Sequence, residues 1–289
     1  MARIIAICNQ KGGVGKTTTA INLSVYLALS NKKTLLIDLD PQSNATSGIG
    51  IDKYSISSSI YNVFHQNKSL SEVIVGTQVA NLYLTPSSLD LTGAEVELVN
   101  AMNREYRLQK EIDTIKEAYD FVIIDCPPSL GLLTINALTA ATSVLIPVQC
   151  EYYALEGLSQ LMNTVNLVKD NLNNKLEIEG VLLSMADFRT NLTKEVIDEV
   201  KNFFGDKVYK TIIPRSIKLT EAPGFGKPIA LYDAGSIGAK AYENLAQELL
   251  ENISQPTVSK EVIEDENIVL KEDRISKSED PLETGNQFS

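Results

Sequence analysis

Tryptophan is absent from this sequence, histidine occurs once and cysteine three times in 289 residues. Cys8, Cys126 and Cys150 lie in separate apolar runs, without the paired spacing of a disulfide framework or a zinc site. This usage indicates buried thiols in a reducing compartment. The single histidine, His65, has no Asp or Cys near it in the sequence that would suggest a catalytic triad or a metal site. We therefore interpret it as structural or exposed.

Long hydrophobic runs are also missing. No stretch approaches the roughly 20 apolar residues that a membrane-spanning helix requires. The N-terminus lacks the apolar core of a signal peptide. We therefore expect a soluble, cytoplasmic protein with no membrane partner.

An excess of basic charge is missing as well. The chain has 26 basic and 37 acidic side chains, a net charge of −11, which argues against a general nucleic-acid binder. Residues 252–289 carry nine acidic and four basic side chains, so this segment holds −5 and the preceding 251 residues −6. Acidic, polar segments bury too little apolar surface to fold. We predict an ordered domain over residues 1–252 and a disordered acidic tail over residues 253–289.

Short β-branched and apolar runs alternate with segments of helical periodicity. The predicted strands are residues 4–8, 34–38, 82–86, 121–125, 143–149, 178–184 and 208–213. The clearest predicted helix is residues 154–171, in which apolar residues form one stripe. This alternation predicts an α/β fold, with a mainly parallel twisted sheet, helices on both faces and ligands at the carboxyl ends of the strands.

A glycine-rich loop separates the first predicted strand from the next helical segment. It reads Asn9-Gln-Lys11-Gly-Gly-Val-Gly-Lys16-Thr17-Thr18. Glycines let backbone N–H groups close around phosphates, and a helix N-terminus adds partial positive charge. Lys16 is positioned to reach the β- and γ-phosphates, and the Thr17 hydroxyl to bind Mg²⁺. The phosphate-contacting amides are those of Gly12, Gly13, Val14, Gly15, Lys16, Thr17 and Thr18.

Three acidic residues lie at the ends of predicted strands or just beyond them. Asp38 and Asp40 alternate, so they face the same side if the strand continues that far. Two such carboxylates are costly unless a cation or an activated water uses them, although a simple Asp-Pro turn at Asp40 is the alternative. Asp125 closes the apolar run of residues 121–124, the Walker B arrangement that holds Mg²⁺ through water.

The glycine loop departs from the usual pattern because Gln10 replaces the first glycine and Lys11 adds a second lysine. Lys11-Gly-Gly-Val-Gly-Lys16-Thr17-Thr18 resembles the deviant Walker A motif of the ParA/MinD superfamily. Further segments carry the likeness in the family's order: Asp38-Leu-Asp40-Pro-Gln, Asp125-Cys-Pro-Pro-Ser, Arg189-Thr-Asn-Leu, Ile213-Pro-Arg and Glu221-Ala-Pro-Gly. Residues 2–252 resemble the small ParA-type ATPases of the chromosomal Soj group, which implies a P-loop NTPase fold.

The resemblance implies a role for each matching residue. Lys11 would reach across a homodimer interface to the partner's nucleotide, while Lys16 acts within its own site. Asp40 would position the attacking water, and Asp38 would support the water shell of Mg²⁺. Pro214, Arg215 and Ser216 would lie beside the adenine of ATP.

Arg189 and Lys218 match positions of non-specific DNA contact in the resembled family. Without the resemblance, both would be interpreted as solvated surface charges. The resemblance implies a nucleoid-associated ATPase for chromosome or plasmid partitioning, in which an ATP-bound dimer binds double-stranded DNA. A ParB-type centromere-binding protein would stimulate its slow, Mg²⁺-dependent hydrolysis.

Two other members of the superfamily are alternatives. A MinD-like membrane-positioning ATPase would need a basic amphipathic C-terminal helix, whereas residues 258–275 hold isolated apolar residues among mostly acidic ones. An iron protein that bridges a cluster between subunits would need two well-placed thiols per chain. The spacing of Cys8, Cys126 and Cys150 does not match that requirement.

Overall fold

The computed structural model describes residues 2–65, 67–151 and 158–254. The predicted acidic tail lies outside these residues, except for Ile253 and Ser254, which belong to the last described helix. In the part of the chain that the structure describes, every helix is too short or too polar to span a bilayer.

Seven strands of the described residues form one sheet in the order β3-β4-β2-β5-β1-β6-β7. All neighbouring strands are parallel except β3, which pairs antiparallel with β4. The strands are β1 (Arg3–Ile7), β2 (Thr34–Asp38), β3 (Val75–Gly76), β4 (Leu82–Thr85), β5 (Phe121–Asp125), β6 (Ser143–Gln149) and β7 (Glu177–Ser184).

Helices connect the parallel strands, as crossover topology requires. Those of the described residues are α1 (Lys16–Leu29), α2 (Asn44–Gly48), α3 (Ile60–Phe64), α4 (Leu70–Val73), α5 (Leu91–Glu97), α6 (Arg107–Ile115), α7 (Leu132–Ala140), α8 (Leu158–Asn171), α9 (Asn191–Phe204), α10 (Ile217–Glu221), α11 (Ile229–Tyr232) and α12 (Ile237–Ser254).

The core has two layers, one on each face of the sheet. Along β1, Ile4 and Ala6 pack into one apolar cluster, while Ile5 and Ile7 pack into the other. Helices α3 to α9 contribute to the first cluster, and α1, α2 and α10 to α12 to the second. Because both faces are covered, β2 and β5 are buried throughout, which explains their continuous apolar sequences. The predicted α/β fold with helices on both faces is confirmed.

Most predicted strands match observed ones to within a residue at either end. The predicted strand over residues 208–213 is wrong, because that segment forms a single isolated bridge with β7, between Val208 and Val181, rather than a continuous ladder. The backbone amides of Lys210 and Thr211 instead donate to the Glu248 carboxylate on α12, which draws them away from the sheet. The short strand β3 was not predicted. The predicted helix over residues 154–171 is seen from Leu158, and its earlier part lies outside the described residues.

Candidate functional site

The glycine-rich loop connects β1 to α1 at the carboxyl edge of the sheet. Gly13 and Gly15 have φ angles of 75° and 89°, in the left-handed region that favours glycine. Gly15 caps α1, and its carbonyl accepts a hydrogen bond from the Thr19 amide at 2.9 Å. The loop therefore presents its backbone and the N-terminus of a 14-residue helix at the sheet edge.

Two side-chain hydrogen bonds hold the loop against the sheet, and a third lies within the loop. The Asn9 amide nitrogen donates to the Pro147 carbonyl on β6 at 2.7 Å, and the Asn9 side-chain oxygen accepts from the Lys11 amide at 3.0 Å. The Ser184 hydroxyl at the end of β7 donates to the Val14 carbonyl at 2.8 Å. Sequence reasoning assigned no role to Asn9 or Ser184, and only the position of Asn9 beside the loop could have indicated one.

Lys16 is buried at the start of α1. Its ammonium donates to the carbonyl of Lys11 at 3.1 Å, across the loop. Burial lowers the pKa of Lys16, and the nearby charges of Asp125 and Asp40 oppose that change. The ammonium thus lies inside the loop beside acidic groups, where a phosphate would strengthen its charged form.

Asp38 and Asp125 end adjacent strands and pair with each other in the register of β2 and β5. Both are fully buried. One oxygen of Asp38 accepts from the Asp40 amide, and the other from the Thr46 amide and hydroxyl at 2.8 and 2.7 Å. Burial raises the pKa of Asp38 to about 6 despite these hydrogen bonds. Asp38 therefore anchors the start of α2, and its support of a Mg²⁺ water shell stays a prediction.

Asp125 differs because neither of its carboxylate oxygens has a hydrogen-bond partner among the described residues. Burial and then the charge of Asp38 raise its pKa well above the usual range. The Thr17 hydroxyl is close enough to oppose this rise, but not in the geometry of a full hydrogen bond. Buried carboxylates without partners are rare in proteins and are typical of sites for a cation.

The residues present fit Mg²⁺. The described residues contain no cluster of three or more His, Cys, Asp or Glu side chains suited to a metal. Mg²⁺ is usually held by one or two carboxylates, water and substrate phosphates rather than by an all-protein cage. Asp125 and Thr17 supply such a sparse oxygen set beside the loop.

Asp40 lies beyond the end of β2, so the expected alternation of Asp38 and Asp40 along one strand does not apply. Its side chain instead accepts from the Gln42 amide at 2.9 Å, and its carbonyl accepts from the Ser43 amide at 2.9 Å. This turn holds the buried Asp40 carboxylate at the wall of a cavity. The turn and the cavity position are compatible with each other, so the two interpretations of this segment are not exclusive.

That cavity has a volume of about 550 Å³ and joins the loop to a distant segment of the chain. One wall consists of the loop and the first turn of α1, and the lining also includes Pro214, Arg215 and Ser216, whose contact with adenine stays a prediction. Apolar side chains of the lining include Met185, Ile213, Leu219 and Pro223. The cavity can therefore take a molecule with an anionic end and a flat apolar end.

Lys11 does not line this cavity. Its ammonium lies 4.0 Å from a carboxylate oxygen of Glu151, whose other oxygen accepts from the Arg215 guanidinium at 3.0 Å. Glu151 thus connects the exposed side of the loop with Arg215 on the cavity lining. Sequence reasoning missed this contact because Glu151 lies more than 60 residues from Arg215.

The two predicted DNA contacts, Arg189 and Lys218, lie outside the cavity on the surface. The Arg189 guanidinium donates to both oxygens of Asp187 at 2.8 and 2.6 Å and lowers the pKa of that carboxyl to about 2. Lys218 donates to Glu221 at 3.0 Å and lies over the Tyr232 ring. Each cation has a neighbouring acid, and both side chains remain accessible to solvent.

The parallel sheet, the glycine loop that opens α1 and the acid that ends β5 define a P-loop NTPase. A family model described as an AAA domain matches residues 2–178. The chain is 58% identical over 252 residues to the sporulation initiation inhibitor protein Soj of Bacillus subtilis, covering 87% of this chain and 100% of that protein. It is 54% identical over 250 residues to the chromosome partitioning protein ParA of Myxococcus xanthus, covering 86% and 88%. The chain belongs to the Soj/ParA family of chromosome-partitioning proteins.

A solved structure supports the same fold. Cobyrinic acid a,c-diamide synthase from Mycobacterium smegmatis, crystallised with an ATP analogue and magnesium, has a TM-score of 0.78 and 35% identity to this chain. The match covers 88% of this chain and 96% of that one.

Proposed function

We propose that this protein is a Mg²⁺-dependent ATPase that partitions a chromosome or plasmid. The observation that carries the proposal is the cavity that joins the phosphate loop to residues 213–216, beside the unpartnered carboxylate of Asp125. The end of the cavity formed by the loop and Lys16 suits the anionic phosphates of ATP, and the apolar end suits its base. The partitioning role is supported by the extent of the similarity to Soj and ParA.

Different groups of the chain bind the phosphates, bind Mg²⁺ and position the attacking water. Amides of residues 12–18 and the Lys16 ammonium hold the β- and γ-phosphates, and Thr17 and Asp125 hold Mg²⁺. When bound, Mg²⁺ neutralises charge that develops on the phosphoryl oxygens. Asp40, held by its turn at the cavity wall, orients the attacking water. Most of the rate enhancement in such a site comes from positioning and charge stabilisation.

A homodimer completes the site in this proposal. Lys11 lies outside its own cavity beside Glu151, so its charge is not committed to the phosphates of its own chain. Inserted into a second copy, the Lys11 ammonium supplies positive charge at the transferring phosphoryl group, as an arginine finger does. ATP binding then favours the dimer, and hydrolysis releases it.

DNA binding depends on the exposed cations of the dimer. Arg189 and Lys218 pair with acids on the protein surface, where solvent screens ion pairs and leaves them weak. DNA phosphates can replace such weak partners. Because the domain is acidic overall, contacts from one subunit bind weakly, and two subunits side by side are needed for useful affinity. A ParB-type partner stimulates hydrolysis and so releases the protein from DNA. The protein is therefore on the nucleoid, in the cytoplasm, only while ATP is bound.

The test is binding of the full chain to an unrelated DNA duplex, with Mg²⁺ and either ATP or ADP, over a range of salt concentrations. We expect tighter binding with ATP and a steep loss of affinity with salt. The double variant Arg189→Ala/Lys218→Ala should reduce the slope of log affinity against log salt by roughly 0.9 for each phosphate that is no longer neutralised. The matched control Lys32→Ala/Lys175→Ala removes the same charge at the opposite edge of the sheet. Equal affinity in ATP and ADP, or an equal effect of both double variants, contradicts the proposal.

Dimerisation is tested separately by sedimentation with ATP and Mg²⁺. The variant Lys11→Ala should bind ATP but hydrolyse it more slowly, because the partner's phosphates lose a cation. Mixing it with Asp40→Ala chains should restore part of the hydrolysis, since a mixed dimer holds one site with an intact Asp40 and an intact lysine from its partner. Absence of any recovery, with mixed dimers present, argues against a lysine that acts across the interface.

A further inference from the structure

Two of the three cysteines lie in contact inside the protein. The sulfur atoms of Cys8 and Cys126 are 3.1 Å apart, and both side chains are about 1% exposed. The residues directly follow the neighbouring parallel strands β1 and β5, and the Cys126 amide donates to the Ile7 carbonyl. The pair is therefore a consequence of strand register between residues 118 positions apart in the sequence.

The position of this pair connects it to the nucleotide site. Cys8 is the last residue before the loop begins at Asn9, and Cys126 directly follows Asp125. Ile7 and Asp125 are partners in the register of β1 and β5, so the two cysteines are the next residues at the ends of these strands. The pair thus lies between the two segments that we assign to phosphate and Mg²⁺ binding. Because it is buried within one chain, it cannot bridge a cluster between two subunits.

We propose that Cys8 and Cys126 are an oxidisable dithiol that closes to a reversible disulfide and thereby weakens nucleotide binding. One thiol is oxidised by a hydroperoxide to a sulfenic acid, and the peroxide is reduced to water or the corresponding alcohol. The sulfur of the other thiol then attacks the sulfenic sulfur and releases the oxygen as water. In total, two S–H bonds and one O–O bond are broken, and one S–S bond and two O–H bonds are formed. Only a small neutral oxidant suits so buried a pair.

Closure requires movement at the base of the site. A disulfide bond is about 2.05 Å long, so the sulfurs must approach by about 1 Å. Close packing transmits such a displacement to the strand ends, and hence to the loop and to Asp125. A displacement of about 1 Å in a binding site can cost up to about a hundredfold in function, and we expect at least roughly tenfold weaker binding of Mg²⁺–ATP. Disulfides that strain their surroundings are readily reduced, so a small dithiol should reverse the effect.

The first experiment measures the bond itself and does not depend on the proposed function. The full chain is treated with hydrogen peroxide, and its intact mass is measured before and after addition of dithiothreitol. We expect a loss of about 2 Da, reversed by the reductant, and a peptide that links Cys8 to Cys126. The matched control is Cys150→Ser, because Cys150 is buried without a thiol partner and should leave the mass change intact. Cys8→Ser and Cys126→Ser should each abolish it.

Absence of the linked peptide in the oxidised wild-type chain overturns the proposal, even if both serine variants fail to fold. A loss of about 2 Da by the Cys8→Ser variant also overturns the proposal, because that variant lacks one of the two thiols. The second measurement is Mg²⁺–ATP affinity of the oxidised, reduced and re-reduced chain. A disulfide that leaves affinity within about twofold overturns the coupling to the site. Failure of the reduced chain to bind ATP at all contradicts the proposed function instead, which keeps the two failures distinct.

Discussion

The two edges of the sheet carry cavities of similar size, but the buried acid beside one is paired, whereas the buried acid beside the other has no partner among the described residues. The cavity at the amino edge has a volume of about 620 Å³, and that at the carboxyl edge about 550 Å³. Beside the first, Arg3 donates to both oxygens of the buried Glu179 at 2.8 and 2.9 Å, and the Ser143 hydroxyl also donates to Glu179. Beside the second, the buried carboxylate of Asp125 has no partner among the described residues.

This difference distinguishes a ligand-binding cavity at the carboxyl edge from a packing cavity between helices and strands at the amino edge. Satisfied charges contribute to stability, whereas a buried charge without a partner costs free energy and persists where a ligand neutralises it. Cavity size alone would select the amino edge. The unpartnered carboxylate, the left-handed glycines and the N-terminus of α1 select the carboxyl edge, as expected for ligands of parallel sheets.

The largest effect should follow from loss of the loop lysine. Lys16→Ala removes the only ammonium that lies inside the loop, among the described residues, and should weaken Mg²⁺–ATP binding by at least roughly a hundredfold, on the order of 3 kcal/mol. Isothermal titration calorimetry measures this. The control Lys32→Ala removes a lysine from the amino-edge cavity and should leave affinity within about twofold. Similar losses in both variants contradict the assignment of the site.

Asp40 should affect hydrolysis rather than binding. Asp40→Ala should lower the rate by roughly 10² to 10⁴, because a positioned acid–base group contributes that much, while Mg²⁺–ATP affinity changes little. ATP-bound dimers should accumulate on DNA. Steady-state phosphate release and DNA retention measure the two outcomes. The amino-edge control Glu177→Gln should hydrolyse ATP normally, and normal hydrolysis by Asp40→Ala shows that the role is misassigned.

Buried acids at the two edges should respond in opposite directions when neutralised. In the absence of nucleotide and Mg²⁺, Asp125→Asn should raise the free energy of unfolding at pH 7 by about 1 to 3 kcal/mol, because an unpartnered carboxylate is removed. Glu179→Gln should lower it by about 1 to 3 kcal/mol, because Arg3 loses a charged partner. Urea denaturation measures both. If both variants change the free energy of unfolding in the same direction, the proposed difference between the paired and the unpaired acid is wrong.

The same acids predict how stability depends on pH. The folded protein raises the pKa values of Asp38, to about 6, and of Asp125, well above its usual range. Folded chains therefore bind more protons than unfolded ones, and this contribution makes stability fall as pH rises from about 4 through 6 and beyond. Asp125→Asn should flatten the decline above pH 6, where Asp38 has already titrated. An unchanged slope between pH 6 and 8 contradicts a raised pKa at Asp125.

Sequence reasoning was most accurate where local pattern and buried environment agree. The runs that end at Asp38 and Asp125 were located to the residue, because apolar runs closed by an acid leave little choice of boundary. It failed at residues 208–213, where two backbone amides donate to the Glu248 carboxylate on α12 instead of to carbonyls of a neighbouring strand. Partners such as Glu151 for Lys11, or Cys126 for Cys8, follow from tertiary register and have no local signal.

The smallest effect should come from a pair of serines, one at each edge. The Ser184 hydroxyl holds the Val14 carbonyl of the loop, while the Ser143 hydroxyl holds Glu179. Replacement of either by Ala removes one hydrogen bond, at a cost of about 1 kcal/mol in the free energy of unfolding. Only Ser184→Ala should weaken Mg²⁺–ATP binding, by roughly fivefold, because the loop is then without a hydrogen bond that fixes its shape. If Ser143→Ala weakens binding equally, general stability rather than loop geometry controls affinity, and the two edges are coupled through the sheet.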